Sequence, residues 1–213
     1  MESDGMTLSF DECWNKTKTD FDPPRIPSQS YAELELLYPY VLKLKPKNIL
    51  EIGVQFGGSL IFWINASEDG GKIIGIDDDV LIPERVATWK KWLKPQQKLY
   101  VLNKDSRTQE TLGEVKTILQ GEFLDFLFID ANHEMPSPKI DYEQYSPLVR
   151  KGGMITFHDI GGPPNNNLLG LYQYWESLKQ DILKDSYSKT MQFFCRHPTT
   201  GISGIGVIMK NET

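Results

Sequence analysis

Apolar and polar positions follow two periods along this chain. Between Ser28 and Leu44 the apolar side chains Tyr31, Leu34, Leu37 and Val41 recur at the spacing of one helix face. Ser28 or Ser30 is the candidate cap. After Pro46 short apolar runs alternate with longer mixed stretches. "NILEIG", "KIIGID", "KLYVLN", "FLDFLFID" and "GGMITFHD" read as five buried strands. Between them, "GGSLIFWINAS", "PERVATWKKWL", "TQETLGEVKTILQ" and "KIDYEQYSPLV" read as helices, with Pro83 at a first turn. "LLGLYQYWESLKQDI" is a further helix with an aromatic face, and "TMQFFCR" and "SGIGVIMK" are two late strands.

Strands that alternate with helices imply right-handed crossovers and a mostly parallel sheet, an α/β fold. The strands are almost unbroken apolar runs, which fits a sheet covered on both faces. Residues 1–27 are polar and interrupted by "DPPRIP", so they read as an arm or lid ahead of one domain spanning 28–213. "GGPPNNN" reads as an irregular loop. Internal repeats and low-complexity tracts are absent.

Composition narrows the partners. The 213 residues carry a formal net charge of -6, which argues against a nucleic acid, whose phosphates need clustered Lys and Arg. No apolar stretch is long enough to cross a bilayer. The acidic start "MESDGMTLSF" does not read as a secretory signal. Cys13 and Cys195 are too few and too far apart for a disulfide framework; they read as a packed and a loop thiol, and the expected location is the cytoplasm. Glycosylation-type triplets at Asn15 and Asn65 are of a kind that recurs by chance.

In open parallel sheets ligands sit beyond the carboxyl ends of the strands. The first strand ends Glu51-Ile52-Gly53, and its turn runs on to Gly57-Gly58-Ser59. A dinucleotide turn needs a glycine where Gln55 stands, and Glu51 would repel a pyrophosphate; an acid here suits a cationic ligand. Asp77 ends the second strand, placed to accept both hydroxyls of a ribose, whereas Asp78 and Asp79 read as a solvated cap. Asp105 follows the third strand; it either accepts an adenine amine or caps the next helix. The fourth strand delivers Asp130, Asn132, His133 and Glu134, and the fifth His158 and Asp159. Two imidazoles on neighbouring strand ends, each beside an acid, suit proton transfer or a hard cation held by oxygens. The third histidine, His197 in "CRHPTT", reads as loop.

With these residues in view the chain resembles the class I S-adenosylmethionine-dependent methyltransferases, over roughly Gln29 to Met209. Within them it most resembles the branch of macrocin O-methyltransferase-like and cephalosporin hydroxylase-like proteins. "LKPKNILEIGVQFGGSL", "KIIGIDDD", "FIDANHE", "YSPLVRKGGMITFHDI" and "SGIGVIMK" carry the resemblance. It implies a Rossmann-like sheet of seven strands, the last one antiparallel and formed by a hairpin. It implies that Glu51, Gly53, Gly57 and Ser59 lie beside the amino-acid part of S-adenosylmethionine, Asp77 on the ribose and Asp105 near the adenine. Asp130 falls at the cofactor and, in magnesium-dependent relatives, at a metal; the resemblance then implies Asp130 and Asp159 as ligands of Mg²⁺. Relatives of the catechol type pair Asp with Asn at the fifth strand's end, where this chain has His158-Asp159.

The expected activity is O-methylation of a small-molecule hydroxyl, on a sugar or natural product, with Tyr172, Tyr174 and Trp175 either roofing the site or packing on the sheet. His133 or His158 is the expected base, His133 preferred; the other route is a cation that acidifies the hydroxyl. A homodimer is the expected assembly. Three other readings compete: a non-catalytic cofactor-binding module, a nicotinamide-dependent oxidoreductase and an oxygenase. The last lacks a facial iron triad in the sequence.

Overall fold

Two capping boxes start the chain's first helices. Ser9 and Glu12 cap helix α1 (Phe10–Thr19), and Ser30 and Glu33 cap α2 (Tyr31–Leu44), each pair exchanging side-chain and backbone hydrogen bonds. Ser30, rather than Ser28, is therefore the cap of the second helix. In this computed structural model the described residues are 7–21, 27–78, 83–161, 169–184, 188–197 and 201–211. "GGPPNNN" from its second residue onward, and Asp79, lie outside them.

The predicted alternation is present. Strands β1 (Asn48–Ile52), β2 (Lys72–Asp77), β3 (Lys98–Asn103), β4 (Leu124–Ile129) and β5 (Val149–Phe157) are parallel. Strands β6 (Ser188–His197) and β7 (Gly201–Lys210) form a hairpin, and β7 inserts antiparallel beside β5. The sheet order is β3-β2-β1-β4-β5-β7-β6, the seven-stranded arrangement with a single antiparallel strand. His197 belongs to β6 and not to a loop. Helices α3 (Leu60–Ala66), α4 (Pro83–Lys90), α5 (Gln109–Leu119), α6 (Ser137–Tyr145) and α7 (Leu169–Lys184) connect the strands. Helix α4 stops at Lys90, before the Leu93 that its pattern suggested.

Side chains alternate across the sheet, so each strand feeds two cores. Ile49, Phe126 and Phe128 face Leu34, Leu37, Phe62 and Trp63 on one side. Leu50, Leu127, Ile155 and Phe157 face Val115 and Trp175 on the other. Each such buried side chain contributes about 1.5–3 kcal/mol. Trp175 and Tyr174 pack on Phe157, which places them in the second core. Neither they nor Tyr172 borders the cavity described below.

The N-terminal segment differs from a polar arm. Helix α1 buries Cys13 and sets Phe10 against Tyr31, Tyr38 and Phe62. Leu8 exchanges two backbone hydrogen bonds with the Asn65 amide, and Trp92 donates to Asp20 at 2.7 Å. Sparse aromatics in a polar stretch have no clear periodicity, yet here they add a layer to the first core. Within the described residues this segment clasps α2 and α3, and only Ser28 and Gln29 reach the strand ends.

Candidate active site

The carboxyl ends of the parallel strands surround a cavity of about 480 Å³, a size suited to a small ligand. The β1 turn forms one wall. It is built on three left-handed residues, Gly53 (φ 92°), Gln55 (φ 47°) and Gly57 (φ 73°). A Cβ on Gly53 would collide with the carbonyl of Asp130, so only glycine lets β1 end this close to β4. Gly57 lies under the Trp89 indole and does not border the cavity; Gly58 and Ser59 do.

Glu51 is fully buried behind that wall and does not line the cavity. Its Oε1 accepts from the Ser59 hydroxyl, and its Oε2 has no hydrogen-bond partner. Burial raises its pKa to about 8, against the Ser59 hydrogen bond and with help from the charge of Asp130. Asp77 lies at the end of β2, lines the cavity, and accepts from the Gln55 backbone N–H at 2.5 Å.

At the β3 end Asp105 borders the cavity but is held by Arg107 in a two-point pair, Nε–Oδ1 and Nη2–Oδ2 both 2.7 Å. That pairing keeps its carboxyl below the usual range. It does not cap α5, whose cap is Thr108. Nearby Asp141, which sequence reasoning missed, is buried, accepts from Ser106 Oγ at 2.6 Å, and is raised by burial to about 6. Lys104 is paired with Glu110 and Glu114.

The ends of β4 and β5 bring Asp130, Asn132, His133, His158 and Asp159 to one side of the cavity, as expected of neighbouring strands. His158 is buried. Its Nδ1 lies 3.1 Å from Asp130 Oδ1 and 3.3 Å from Asp159 Oδ2. Its Nε2 lies 3.5 Å from Glu33 Oε2. Burial alone would lower its pKa; Asp130 above all, with Asp159 and Glu33, outweighs this and holds it well above the ordinary histidine value. Burial likewise opposes ionisation of Asp130, and the two imidazoles overcome it, taking the carboxyl down to about 2.

His133 differs in exposure. Its side chain is 31% accessible, and Nε2 sits 3.3 Å from Asp159 Oδ2 without a hydrogen bond of acceptable geometry. Its pKa is raised, because the Asp130 and Asp159 charges outweigh desolvation. Sequence reasoning missed two more residues, Gln29 just before the α2 cap and Glu33 in its first turn. Gln29 donates through Nε2 to Asp130 Oδ2, and fully buried Glu33 faces His158. The only local signal for Glu33 was the Ser30-Tyr31-Ala32-Glu33 capping box, which marks a helix start and says nothing of a histidine 125 positions away.

Comparison with known proteins finds the same fold. The O-methyltransferase TomG from Streptomyces achromogenes, solved with SAM and involved in Tomaymycin synthesis, is 16% identical, with a TM-score of 0.63 over 99% of this chain and 91% of its own. An O-methyltransferase from Bacillus cereus, solved with SAH, is 17% identical, with a TM-score of 0.62 over 94% and 90%. A cofactor-bound protein from MTB, 16% identical, gives 0.65 over 95% and 91%. At these identities the likeness is one of fold. No curated protein sequence matches. The family model described as "Methyltransferase domain" matches residues 50–160, just over half of the 213, from within the first strand to just past Asp159. The chain therefore belongs to the methyltransferase-domain family, in the class I architecture that its strand-end motifs resemble.

Proposed function

We infer that this protein transfers a methyl group from S-adenosylmethionine to a hydroxyl of a small-molecule acceptor. The observation that carries the reading is the acidic crevice with one accessible imidazole on its rim. Asp77, Asp78, Asp105, Asp130, Asp141 and Asp159 line it, while Lys104 and Arg107, the lysine and arginine lining it among the described residues, are already paired with acids. That lining suits a ligand bearing sulfonium and ammonium charges and ribose hydroxyls, and would repel a pyrophosphate. The solved neighbours crystallised with SAM or SAH share this fold.

Bound S-adenosylmethionine supplies an activated methyl group that an oxygen nucleophile can displace in line. Asp77 is placed to accept from the ribose hydroxyls, and the Gly53–Ser59 turn shapes the pocket for the amino-acid end. Glu51 supports that turn from behind through Ser59. His133 takes the acceptor's proton at its other ring nitrogen, Nδ1, because Nε2 is buried and faces the carboxylates of Asp130 and Asp159. Asp159 and Asp130 stabilise the imidazolium that results. A positioned base of this kind contributes about 10²–10⁴-fold, and alignment of the acceptor can contribute more. His158, buried with a carboxylate at each ring nitrogen, is not placed to act as the base.

The acceptor class we favour is a sugar or other natural-product hydroxyl, and the part that TomG plays in Tomaymycin synthesis supports it. A cytoplasmic home and a homodimer complete the reading, supported by the acidic composition, the scarcity of cysteine and the commonness of two-fold assemblies. No helix among the described residues is long and apolar enough to cross a membrane. Calorimetry with S-adenosylhomocysteine and with nicotinamide dinucleotides tests the reading. Association with the former alone is expected; heat only with the latter would overturn it.

A further inference from the structure

Two elements build the cavity wall at the β3 end. Ser106 and Arg107 lie in the loop after β3, Ser137 and Asp141 belong to α6, and all four border the cavity. Side chains of α6 hold the loop: Tyr145 donates to the Ser106 carbonyl at 2.7 Å, and Gln144 to the Arg107 carbonyl at 2.9 Å. Arg107 Nη1 donates in turn to Ser137 Oγ at 3.0 Å. Within this wall Asp141 is 1% exposed, and Ser106 Oγ donates to its Oδ1 at 2.6 Å. Among the described residues the other oxygen, Oδ2, receives no hydrogen bond. A buried carboxylate short of donors gains from each one that a ligand brings.

Acids elsewhere on the wall are already engaged. Asp105, which the family resemblance puts near the adenine, takes three donors from Arg107: the backbone N–H and Nε on Oδ1, and Nη2 on Oδ2. An amine approaching it would also meet the guanidinium. At the far end Asp130 and Asp159 face the two imidazoles. With His133 they form the group close enough to share an ion, but that group includes a nitrogen. Mg²⁺ demands oxygen ligands in near-octahedral geometry, so the trio suits magnesium poorly.

We propose that Asp141 selects the nucleobase of the cofactor, its Oδ2 accepting a hydrogen bond from the exocyclic amine of adenine. The assignment rests on the methyl-transfer reading, which fixes the direction of the ligand. The turn after β1 takes the amino-acid end, and Asp77 at the end of β2 takes the ribose. The sheet order β3-β2-β1 then carries the base one strand further, about 5 Å, to the end of β3 where Asp141 borders the cavity. The acceptor and His133 occupy the opposite side, at the ends of β4 and β5. An adenine edge brings N–H donors to an acid at the β3 end. A 6-oxo purine would turn a carbonyl oxygen toward the same carboxylate and be repelled.

The test is calorimetry of the full chain with S-adenosylhomocysteine and with S-inosylhomocysteine, its 6-oxo counterpart, alongside thermal melts. The native chain is expected to prefer the adenosyl compound by about tenfold or more. Asp141→Asn keeps an oxygen for Ser106 and turns an amide N–H toward the base. It should weaken S-adenosylhomocysteine binding by about 10–100-fold and tighten S-inosylhomocysteine binding, so that the preference collapses. Asp141→Ala removes the acceptor without supplying a donor and should collapse the preference through the first effect alone. Asp105→Asn should retain it. A preference kept in folded Asp141→Asn or Asp141→Ala would overturn the proposal, as would one lost in Asp105→Asn and kept in Asp141→Asn. A native chain that binds both compounds alike would overturn it too, while leaving the methyl-transfer reading in place. A native chain that binds neither would remove that reading, and this assignment with it.

Discussion

Gly57 lies directly beneath the indole of Trp89, so that a Cβ at residue 57 would overlap the ring. The indole Nε1 donates to the Phe56 carbonyl at 3.2 Å, which ties α4 to the cofactor-side turn. Gly57 is therefore kept small by a packing partner, and its φ of 73° adds a second requirement. Gly57→Ala is expected to lower stability by about 2 kcal/mol or more, a fall in Tm of roughly 4–8 °C. Gly121→Ala, with φ 85° and no atom near its Cβ, isolates the backbone strain alone, about 1 kcal/mol. Equal Tm losses in the two variants would show that the indole contact contributes nothing.

Glu51 predicts a pH dependence of definite sign. Its folded pKa, about 8, stands above the ordinary value of 4.5. Between those values the native state holds a proton that the unfolded chain has lost, so stability falls as pH rises from 4.5 through 8. The slope is at most about 1.4 kcal/mol per pH unit. Glu51→Gln should flatten it, raising Tm at about pH 8.5 relative to the native chain and leaving about pH 5 little changed. Asp130, held at about 2, acts oppositely: its contribution is present above its ordinary pKa of 3.8 and is lost as pH falls toward 2. Melting curves across roughly pH 3–9 check both signs.

The two histidines should separate cleanly. His133→Ala is expected to cut methyl transfer by about 10²–10⁴-fold while Tm and S-adenosylhomocysteine affinity hold. His158→Ala removes the imidazole that faces Glu33, Asp130 and Asp159 and should destabilise by about 3–5 kcal/mol, as when one partner of a buried ion pair is removed. Turnover assays paired with thermal melts distinguish the two. A His133→Ala protein with native turnover would remove it as base.

Asp77→Asn tests the ribose assignment. The carboxylate also accepts from Gln55, so a neutral amide loses charge at both contacts. S-adenosylhomocysteine should bind about 10–100-fold more weakly, equivalent to about 1.4–2.8 kcal/mol, the range of a hydrogen bond to a charged group. Calorimetry measures this directly; an affinity within about twofold of native would move the ribose elsewhere.

The repeating chemistry of the sequence determined the strand and helix order, the parallel sheet and the gathering of acids and histidines at the strand ends. Those features depend on residues close in sequence: apolar runs make strands, and whatever follows a run stands at its end. The same locality explains why Asp77, Asp130, His133 and Asp159, which border the cavity, could be picked out along the chain. Tertiary structure decided which groups remain available. Asp105 looked open until Arg107 closed on it, Glu51 looked like a pocket residue until the turn folded over it, and His158 looked accessible until Glu33 arrived from α2 to face it. It also turned a polar-looking segment into α1, because a few aromatics suffice once a neighbouring surface exists to bury them. Charge state and access are set by neighbours in space, and burial multiplies the effect of each neighbour, so no local pattern along the chain contains them.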